Sequence, residues 1–318
     1  MNQPSIAISR LTSQQTVTRR VTNVSDEAAS FVVSVTAPVG MQVSVNPPTL
    51  ALAAGQSASY DVTITYQSGP LDLWRFGSLT WTSNDHSVRS PIAVKPTTLT
   101  APAEVTSFGG TGSIDFDVEF GYTGAYSPQV HGLNLPFVTP DFVANDPTKT
   151  FSFRSSNGVT ARTLDVPPGQ LYLRIALFDA LTDGEDDLDL YVYYCADAVE
   201  LTVLTCASIG ESGGPTSQER VDQFRPAEGR YLILVHGFDT DEVAGGSGTV
   251  YTMLSWYFGE LEDQGNMTVN GPGFVNTGTT QTVTVDWSNL LGNTIYFGGI
   301  SHNTPSGLSG LTLVTIGN

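Results

Sequence analysis

Alternation of polar and apolar residues with a period of two most constrains the fold of this chain. Between residues 16 and 22, Val17, Arg19 and Val21 alternate with threonines and an arginine. Residues 282–287 repeat the pattern as TVTVDW. Successive side chains of a β-strand point to opposite faces, so this period predicts strands with one buried face each. Helical periodicity is almost absent, and the sequence therefore predicts an all-β protein.

Turn residues divide these strands into compact units. Thirty-two glycines and eighteen prolines interrupt the runs about every ten residues, a spacing typical of β-sandwiches. We predict a fibronectin type III-like or immunoglobulin-like sandwich over 1–98 and a jelly-roll-like double sheet over 99–263. A small C-terminal β-sandwich is predicted over 264–318. A unit this short is only marginally stable alone, and we therefore expect it to pack against the middle unit.

The negative charge is concentrated in the middle of the chain. The formal net charge is −18. Residues 1–98 hold six basic and five acidic side chains, residues 99–263 hold seven and twenty-five, and residues 264–318 hold one acid and no Lys or Arg. A polyanionic surface repels nucleic acid and anionic lipid, so neither is expected as a partner.

No segment of the sequence predicts a membrane span. No run of eighteen or more apolar residues occurs, the length needed to cross a bilayer. The opening, MNQPSIAISR, lacks the basic and apolar parts of a signal peptide and runs directly into strand-like sequence. We therefore interpret Met1 as a start added to a fragment.

The two cysteines predict a disulfide. Cys195 and Cys206 lie eleven positions apart in a region rich in Tyr, Val and Leu, a spacing that suits a bridge between neighbouring strands. Such a bridge would stabilise the fold by roughly 3 kcal/mol and would imply an oxidising compartment. The alternative is a pair of buried free thiols.

Several stretches resemble the accessory domains of subtilisin-like serine proteases. TVTRRVTNVSDEAASFVVSVTAPVGMQVSVNPPTLALAAGQSASYDVTITY, followed by FGSLTWTSNDHSVRSPIAV, resembles the fibronectin type III-like domain that follows the catalytic domain in these enzymes, including the plant-type ones. TDGEDDLDLYVYYC and GRYLILVHGFDT look like a pre-peptidase C-terminal domain, a β-sandwich appended to secreted bacterial proteases. The tail resembles the small β-domain that follows it in some of these chains.

The resemblance implies an accessory region and not the enzyme itself. A subtilisin-like catalytic domain needs D-[ST]-G, H-G-T-x-V-A-G and G-T-S-M-A motifs, and none is present in the sequence. We therefore predict no catalytic residue in this chain. The resemblance implies a secreted bacterial parent protease whose upstream catalytic domain is stabilised or oriented by this region, with protein substrate as a further partner. The alternative is an independent extracellular adhesion module that binds glycan or matrix protein.

The stretch GESGGP around Ser212 differs by one residue from the GDSGGP run at the nucleophile of trypsin-like proteases. A trypsin-like site also needs a histidine base in an A-A-H-C-type context, which the chain lacks, and a cysteine four residues before the serine. Cys206 lies six residues before Ser212. A nucleophile elbow would need a long helix after the serine, and Pro226 ends any such helix early. We therefore interpret GESGGP as a glycine-rich loop between strands.

An acidic run around Gly184 is the candidate metal site. Clustered carboxylates repel one another unless they are solvated or bridged by a cation, and hard oxygen ligands suit Ca²⁺. The spacing is not that of an EF-hand. The predicted calcium ligands are Asp183, Asp186, Asp187 and Asp189, with Asp239 to Glu242 as a second source. The alternative is a solvated acidic loop.

The four tryptophans divide into three core residues and one candidate contact. Trp81, Trp256 and Trp287 alternate with apolar neighbours and are predicted to be buried. Trp74 lies in the loop-like stretch GPLDLWRFG and is the candidate exposed binding residue. It could equally cover the edge of its own sandwich.

Overall fold

The structure is a computed structural model that describes residues 4–153, 158–196, 205–240 and 247–317. Strands make up most of these residues, and no α-helix occurs among them. Their one helical segment is a 3₁₀ turn at Asp179–Leu181. The all-β prediction is confirmed. No helix within these ranges is long and apolar enough to cross a membrane.

The first sandwich is built from eight strands that pair only with one another. They are β1 (Ile6–Leu11), β2 (Gln14–Thr22), β3 (Ala29–Thr36), β4 (Met41–Asn46), β5 (Thr49–Leu52), β6 (Ser57–Tyr66), β7 (Arg75–Thr82) and β8 (Ser87–Pro96). The order β1-β8-β7-β3-β5 forms one sheet and β2-β6-β4 the other. Only β1 runs parallel to its partner, β8.

The period-two pattern explains the core of the first sandwich. Tyr60, Val62 and Ile64 alternate along β6 and are buried, and Trp81 of the opposite sheet meets Tyr60 edge-on with ring centroids 5.1 Å apart. The intervening residues of β6 point outward. One apolar face from each sheet therefore closes the core, as in other sandwiches.

A second sandwich, here called the flanking sandwich, combines strands from two distant parts of the chain. Its earlier strands are β9 (Leu99–Thr100), β10 (Glu104–Phe108), β11 (Gly112–Phe120), β12 (Gly124–Ala125) and β13 (Ser127–Asn134). Its later strands are β22 (Met267–Asn270), β23 (Phe274–Val275), β24 (Thr280–Trp287), β25 (Ile295–Thr304) and β26 (Gly307–Gly317). The two main sheets have the orders β10-β26-β25-β13 and β22-β24-β11-β9.

This pairing corrects the predicted boundary between 99–263 and 264–318. β10 runs parallel to β26 from Glu104 opposite Leu313 onward, and β11 pairs with β24 over eight residue pairs. The tail therefore does not form a separate small β-domain. Its strands supply half of each main sheet of the flanking sandwich, because β10, β11 and β13 alone could not complete a ladder or bury the shared apolar face.

The third sandwich, here called the inserted sandwich, lies in the chain between β13 and β22. Its strands are β14 (Phe137–Ala144), β15 (Val159–Val166), β16 (Gln170–Ala176), β17 (Asp187–Ala196), β18 (Ala207–Ser212), β19 (Arg220–Phe224), β20 (Gly229–Asp239) and β21 (Gly248–Gly259). They form two four-stranded sheets with the orders β14-β21-β16-β19 and β15-β20-β17-β18. The predicted double sheet ran over 99–263, whereas this one covers only residues 137–259.

Apolar packing and one buried ion network join the inserted and flanking sandwiches. Trp256 and Phe258 of β21 pack with Phe297 of β25 in a shared cluster. Arg174 of β16 is 4% exposed and its guanidinium pairs with Glu104 of β10 at 2.7 Å. The same guanidinium lies over the Phe297 ring at 4.2 Å. Because an unpaired buried charge is costly, breaking this ion pair would destabilise the contact between the two sandwiches.

Candidate functional site

The acidic turn lies between the 3₁₀ turn and β17, at one end of the inserted sandwich. Its four predicted ligands do not share one site. Asp183 and Asp186 contact Thr249 and Asp189 contacts His236, whereas Asp187 Oδ1 is buried with no hydrogen-bond partner among the described residues. Among the described residues, no group of three or more His, Cys, Asp or Glu side chains is arranged to hold a metal ion. Asp241 and Glu242 lie outside the described residues.

Asp183 and Asp186 meet at one threonine hydroxyl. Thr249 Oγ1 contacts Asp186 Oδ2 at 2.6 Å and also contacts Asp183 Oδ1. Asp183 Oδ1 accepts a further bond from the Val250 backbone N–H at 3.1 Å. A threonine hydroxyl has a single proton to donate. Two carboxylate oxygens therefore converge on a group that can donate to only one of them.

Asp189 belongs instead to a buried ion cluster around His236. His236 Nδ1 lies 3.0 Å from Asp189 Oδ2, and His236 Nε2 lies 3.0 Å from Asp146 Oδ2. The histidine is fully buried, and both aspartates are nearly so. With a carboxylate at each ring nitrogen, both nitrogens can donate only when the imidazole is cationic. The cluster links β17 and β20 to the segment that follows β14.

Hydrogen bonding keeps Asp146 ionised. The bond from His236, followed by those from Thr148, holds the pKa of Asp146 well below its usual range. Thr148 donates from both its hydroxyl and its backbone N–H to Asp146 Oδ1, at 2.8 and 2.9 Å. Asp187 differs, because burial and the nearby charges of Asp189, Glu219 and Asp239 raise its pKa.

Ser212 is the last residue of β18 and lies in a structural hydrogen-bond network. Its hydroxyl donates to Glu219 Oε2 and accepts from the Arg220 backbone N–H at 3.2 Å. Glu219 Oε1 accepts from the Gly214 N–H at 2.5 Å. No histidine hydrogen-bonds to Ser212 within the described ranges. The buried carboxylate of Glu219 thus holds the GESGGP stretch in place.

A cleft of about 340 Å³ opens beside this network, between the ends of β17, β18 and β20. Its wall includes Asp189, Tyr191, Glu211 and the backbone of Gly213 and Gly214. Burial, followed by the charges of Asp189 and Glu211, raises the pKa of Tyr191 to about 12. The Tyr191 hydroxyl therefore stays protonated, and the carboxylates make the cleft suited to a cationic group and not to an anion.

The predicted disulfide is present. Cys195 and Cys206 are bonded to each other, with their Cα atoms 4.1 Å apart. Both are buried, in a small cluster with Leu232 and Leu234 of β20. The bridge joins the end of β17 to the residue before β18.

The tryptophans lie as predicted. Trp81, Trp256 and Trp287 are 4%, 1% and 3% exposed. Trp74 lies in the loop between β6 and β7, is 46% exposed, and has two exposed apolar neighbours, Leu73 and Phe76. A binding role for Trp74 stays a prediction.

Sequence reasoning missed the histidine of the buried cluster. His236 directly follows the apolar run YLILV of β20. The neighbouring strand β17 begins with the alternating acids of DLDLY. A histidine in an otherwise apolar strand is a signal that a buried acidic partner can be expected. The second partner, Asp146, lies ninety positions away in the sequence and carries no local signal.

Comparison with known proteins identifies the first sandwich. Residues 1–94 match the family model described as "Fibronectin type-III domain". The same region is 38% identical over 96 residues to Subtilisin-like protease SBT3.11 of Arabidopsis thaliana, covering 30% of this chain and 13% of that protein. It is 39% identical over 92 residues to Subtilisin-like protease SBT2.6 of the same plant, covering 29% and 11%.

These matches define one part of the chain. Its first 94 residues are a fibronectin type-III domain homologous to a region of plant subtilisin-like proteases. The chain spans only about an eighth of the length of these relatives, since the match covers 13% of one and 11% of the other. The matched region is a β-sandwich, and these two relatives are plant proteins and not bacterial ones.

Among solved structures, the secreted serine protease VesC from Vibrio cholerae aligns with 81% of this chain and 49% of its own. The identity is 11% and the TM-score 0.25. A TM-score this low does not establish a shared fold.

Proposed function

We propose that this chain is a non-catalytic accessory region of a secreted subtilisin-like serine protease. The observation that carries the proposal is the 38% identity of the fibronectin type-III domain to a subtilisin-like protease. The remaining sandwiches add no serine with a histidine base within the described residues. The resemblance of residues 182–195 and 229–240 to a pre-peptidase C-terminal domain supports the same assignment. The disulfide is in keeping with secretion into an oxidising compartment.

In this proposal the region stabilises and orients an upstream catalytic domain and contacts protein substrate. The test compares the complete protease with a variant that lacks residues 1–98. We expect the deletion to lower the melting temperature of the catalytic domain and to slow hydrolysis of casein more than that of a small chromogenic peptide. Equal stability and equal activity on both substrates would contradict the accessory role.

The coding sequence upstream of residue 1 provides a second test. The proposal requires D-[ST]-G, H-G-T and G-T-S-M motifs there. If a secretion signal but no protease motif lies upstream, the adhesion module for glycan or matrix protein is the better assignment.

The purified chain itself should not hydrolyse casein or a chromogenic ester. Ser212→Ala serves as the control, because it removes the hydroxyl that would have to act as the nucleophile. Hydrolysis that is lost in this variant would make Ser212 a nucleophile and would overturn the non-catalytic assignment.

We also propose that the acidic turn binds Ca²⁺ through Asp183 and Asp186. The convergence of two carboxylate oxygens on the Thr249 hydroxyl supports this, because a hard cation between them would remove their repulsion. A bound ion stabilises the folded state. We expect EDTA to lower the melting temperature of the chain, and excess Ca²⁺ to restore it. Asp183→Asn should abolish the response, and a response that persists in this variant, or no response in the original chain, would contradict the site.

A further inference from the structure

A second cavity, separate from the acidic cleft, lies between the two sheets of the fibronectin type-III domain. Its volume is about 590 Å³, within the range of roughly 300 to 1,000 Å³ that is usual for small-molecule sites. Strands of both sheets line it, together with the β2–β3 loop and the β7–β8 turn. Its apolar wall is formed by Phe31, Leu50, Leu52, Tyr60 and Trp81.

Arg19 places a positive charge on this apolar wall. It lies on β2 between Val17 and Val21, which pack against the core of the domain. The alternation of β2 therefore turns Arg19 towards the space between the sheets, where it lines the cavity. An arginine at an inward position is costly unless an anion or several acceptors satisfy it.

The chain supplies only weak partners for Arg19. Its Nη1 and Nη2 donate to the backbone carbonyls of Thr18 and Ser5, at 3.2 and 3.3 Å. Its Nε is buried and has no acceptor among the described residues. No carboxylate in the same ranges forms an ion pair with it. Asp85 and His86 lie on the exposed β7–β8 turn that lines the cavity, and neither is paired with Arg19.

We propose that this cavity binds an apolar molecule that ends in a carboxylate. The carboxylate would pair with the guanidinium of Arg19, for which a planar two-oxygen acceptor is the natural partner. The hydrocarbon part would lie against Phe31, Tyr60 and Trp81. Two sources share this chemistry: a free aliphatic or aromatic acid, and the C-terminal residue of a peptide that ends in an apolar side chain.

Calorimetric titration of the complete chain tests the proposal with matched probes. Decanoate and decanol share one hydrocarbon chain and differ in charge. We expect decanoate to bind at least tenfold more tightly than decanol. Equal affinities, or no saturable binding of any carboxylate probe at millimolar concentration, would overturn the proposal.

Substitutions locate the interaction. Arg19→Gln should weaken decanoate binding at least tenfold and leave decanol unchanged, whereas Arg19→Lys should retain the preference for the acid. Arg89→Gln makes the same charge change on the outward face of β8 and should have no effect. Circular dichroism establishes whether each variant is folded. If Arg19→Gln does not fold, Leu52→Trp replaces it. The larger side chain of Leu52→Trp fills the cavity and should abolish binding of both probes. Unchanged decanoate binding in the folded Arg19→Gln variant, or in Leu52→Trp where that variant replaces it, would overturn the assignment.

Two further probes distinguish the sources. N-acetyl-phenylalanine represents a peptide C-terminus, and N-acetyl-phenylalaninamide is its neutral control. Tighter binding of N-acetyl-phenylalanine than of decanoate identifies a peptide C-terminus as the ligand, and the reverse order identifies a free acid. The outcome is independent of the proposed protease role, which concerns the catalytic partner and not this cavity.

Discussion

At the scale of single residues, His302 has the most sharply defined protonation state. It is fully buried in the flanking sandwich, where its Nδ1 lies 2.7 Å from the Tyr126 hydroxyl and its Nε2 lies 2.9 Å from Thr312 Oγ1. Thr312 donates its own proton to the Pro102 carbonyl. His302 Nε2 must therefore donate to Thr312, and in the neutral ring Nδ1 accepts from the Tyr126 hydroxyl. Burial lowers the pKa of His302 to about 4.

This pKa predicts a loss of stability at mildly acidic pH. The unfolded chain takes up a proton at position 302 near pH 6.5, whereas the folded chain does so only near pH 4. The contribution of neutral His302 to the free energy of unfolding is therefore complete above pH 6.5. It falls by about 3 kcal/mol in total as the pH is lowered to 4. Urea unfolding at several pH values measures it. The His302→Gln variant has no titrating group at this position, so its stability should decline less steeply as the pH is lowered. Part of the decline should remain, because burial also lowers the pKa of His131. Identical slopes would contradict the prediction.

The buried cluster around His236 predicts a strong effect of one substitution. His236→Gln removes the imidazole that lies between Asp146 and Asp189, so the two buried carboxyl groups lose their shared partner. Unpaired buried charges are among the most destabilising changes in a core. We expect the melting temperature to fall by roughly 5 to 10 °C. His86→Gln, at an exposed turn, is the matched control and should leave it unchanged. A similar small change in both variants would show that the cluster does not stabilise the fold.

At the scale of elements, Glu219 organises the connection between β18 and β19. Glu219→Ala leaves the Ser212 hydroxyl and the Gly214 N–H without their acceptor. Losing a buried acceptor costs about 1 to 3 kcal/mol, and we expect that decrease in the free energy of unfolding. Glu211→Ala removes an exposed carboxylate from β18 and should change stability by less than about 0.5 kcal/mol. Equal effects of the two substitutions would contradict the structural role of Glu219.

The strands could be predicted from the sequence, and their partners could not. Period two identifies the buried face of a strand such as β24, but it says nothing about which strand lies beside it. Ile114 of β11 pairs with Val285 of β24, although the whole inserted sandwich separates the two residues in the sequence. The same limit applies to the site. The carboxylates around Gly184 were visible in the sequence, whereas their division between Thr249 and His236 depends on strand pairing. Cys195 and Cys206 were predictable because so few positions separate them.

At the scale of the whole molecule, the inserted sandwich leaves and re-enters the flanking sandwich at one place. The Asn134 side chain donates to the Tyr257 carbonyl at 2.9 Å, and the Gly132 N–H donates to the Glu262 carbonyl at 3.1 Å. The two ends of the insertion are therefore adjacent, which is the arrangement that lets one domain be inserted into another. Arg174 of the inserted sandwich also lies over the Phe297 ring of the flanking sandwich.

This arrangement predicts opposite outcomes for two deletions. A chain that ends at residue 263 loses β22 to β26, so β10, β11 and β13 lose their partners and their shared core. We expect limited proteolysis of that chain to release the first and inserted sandwiches intact and to degrade residues 99–134. A chain in which a short Gly-Ser linker replaces residues 136–258 keeps both main sheets of the flanking sandwich, and residues 99–135 should stay protected. If residues 99–134 resist proteolysis in the chain that ends at 263, the tail is a separate domain after all, and the boundary predicted from the sequence is the right one.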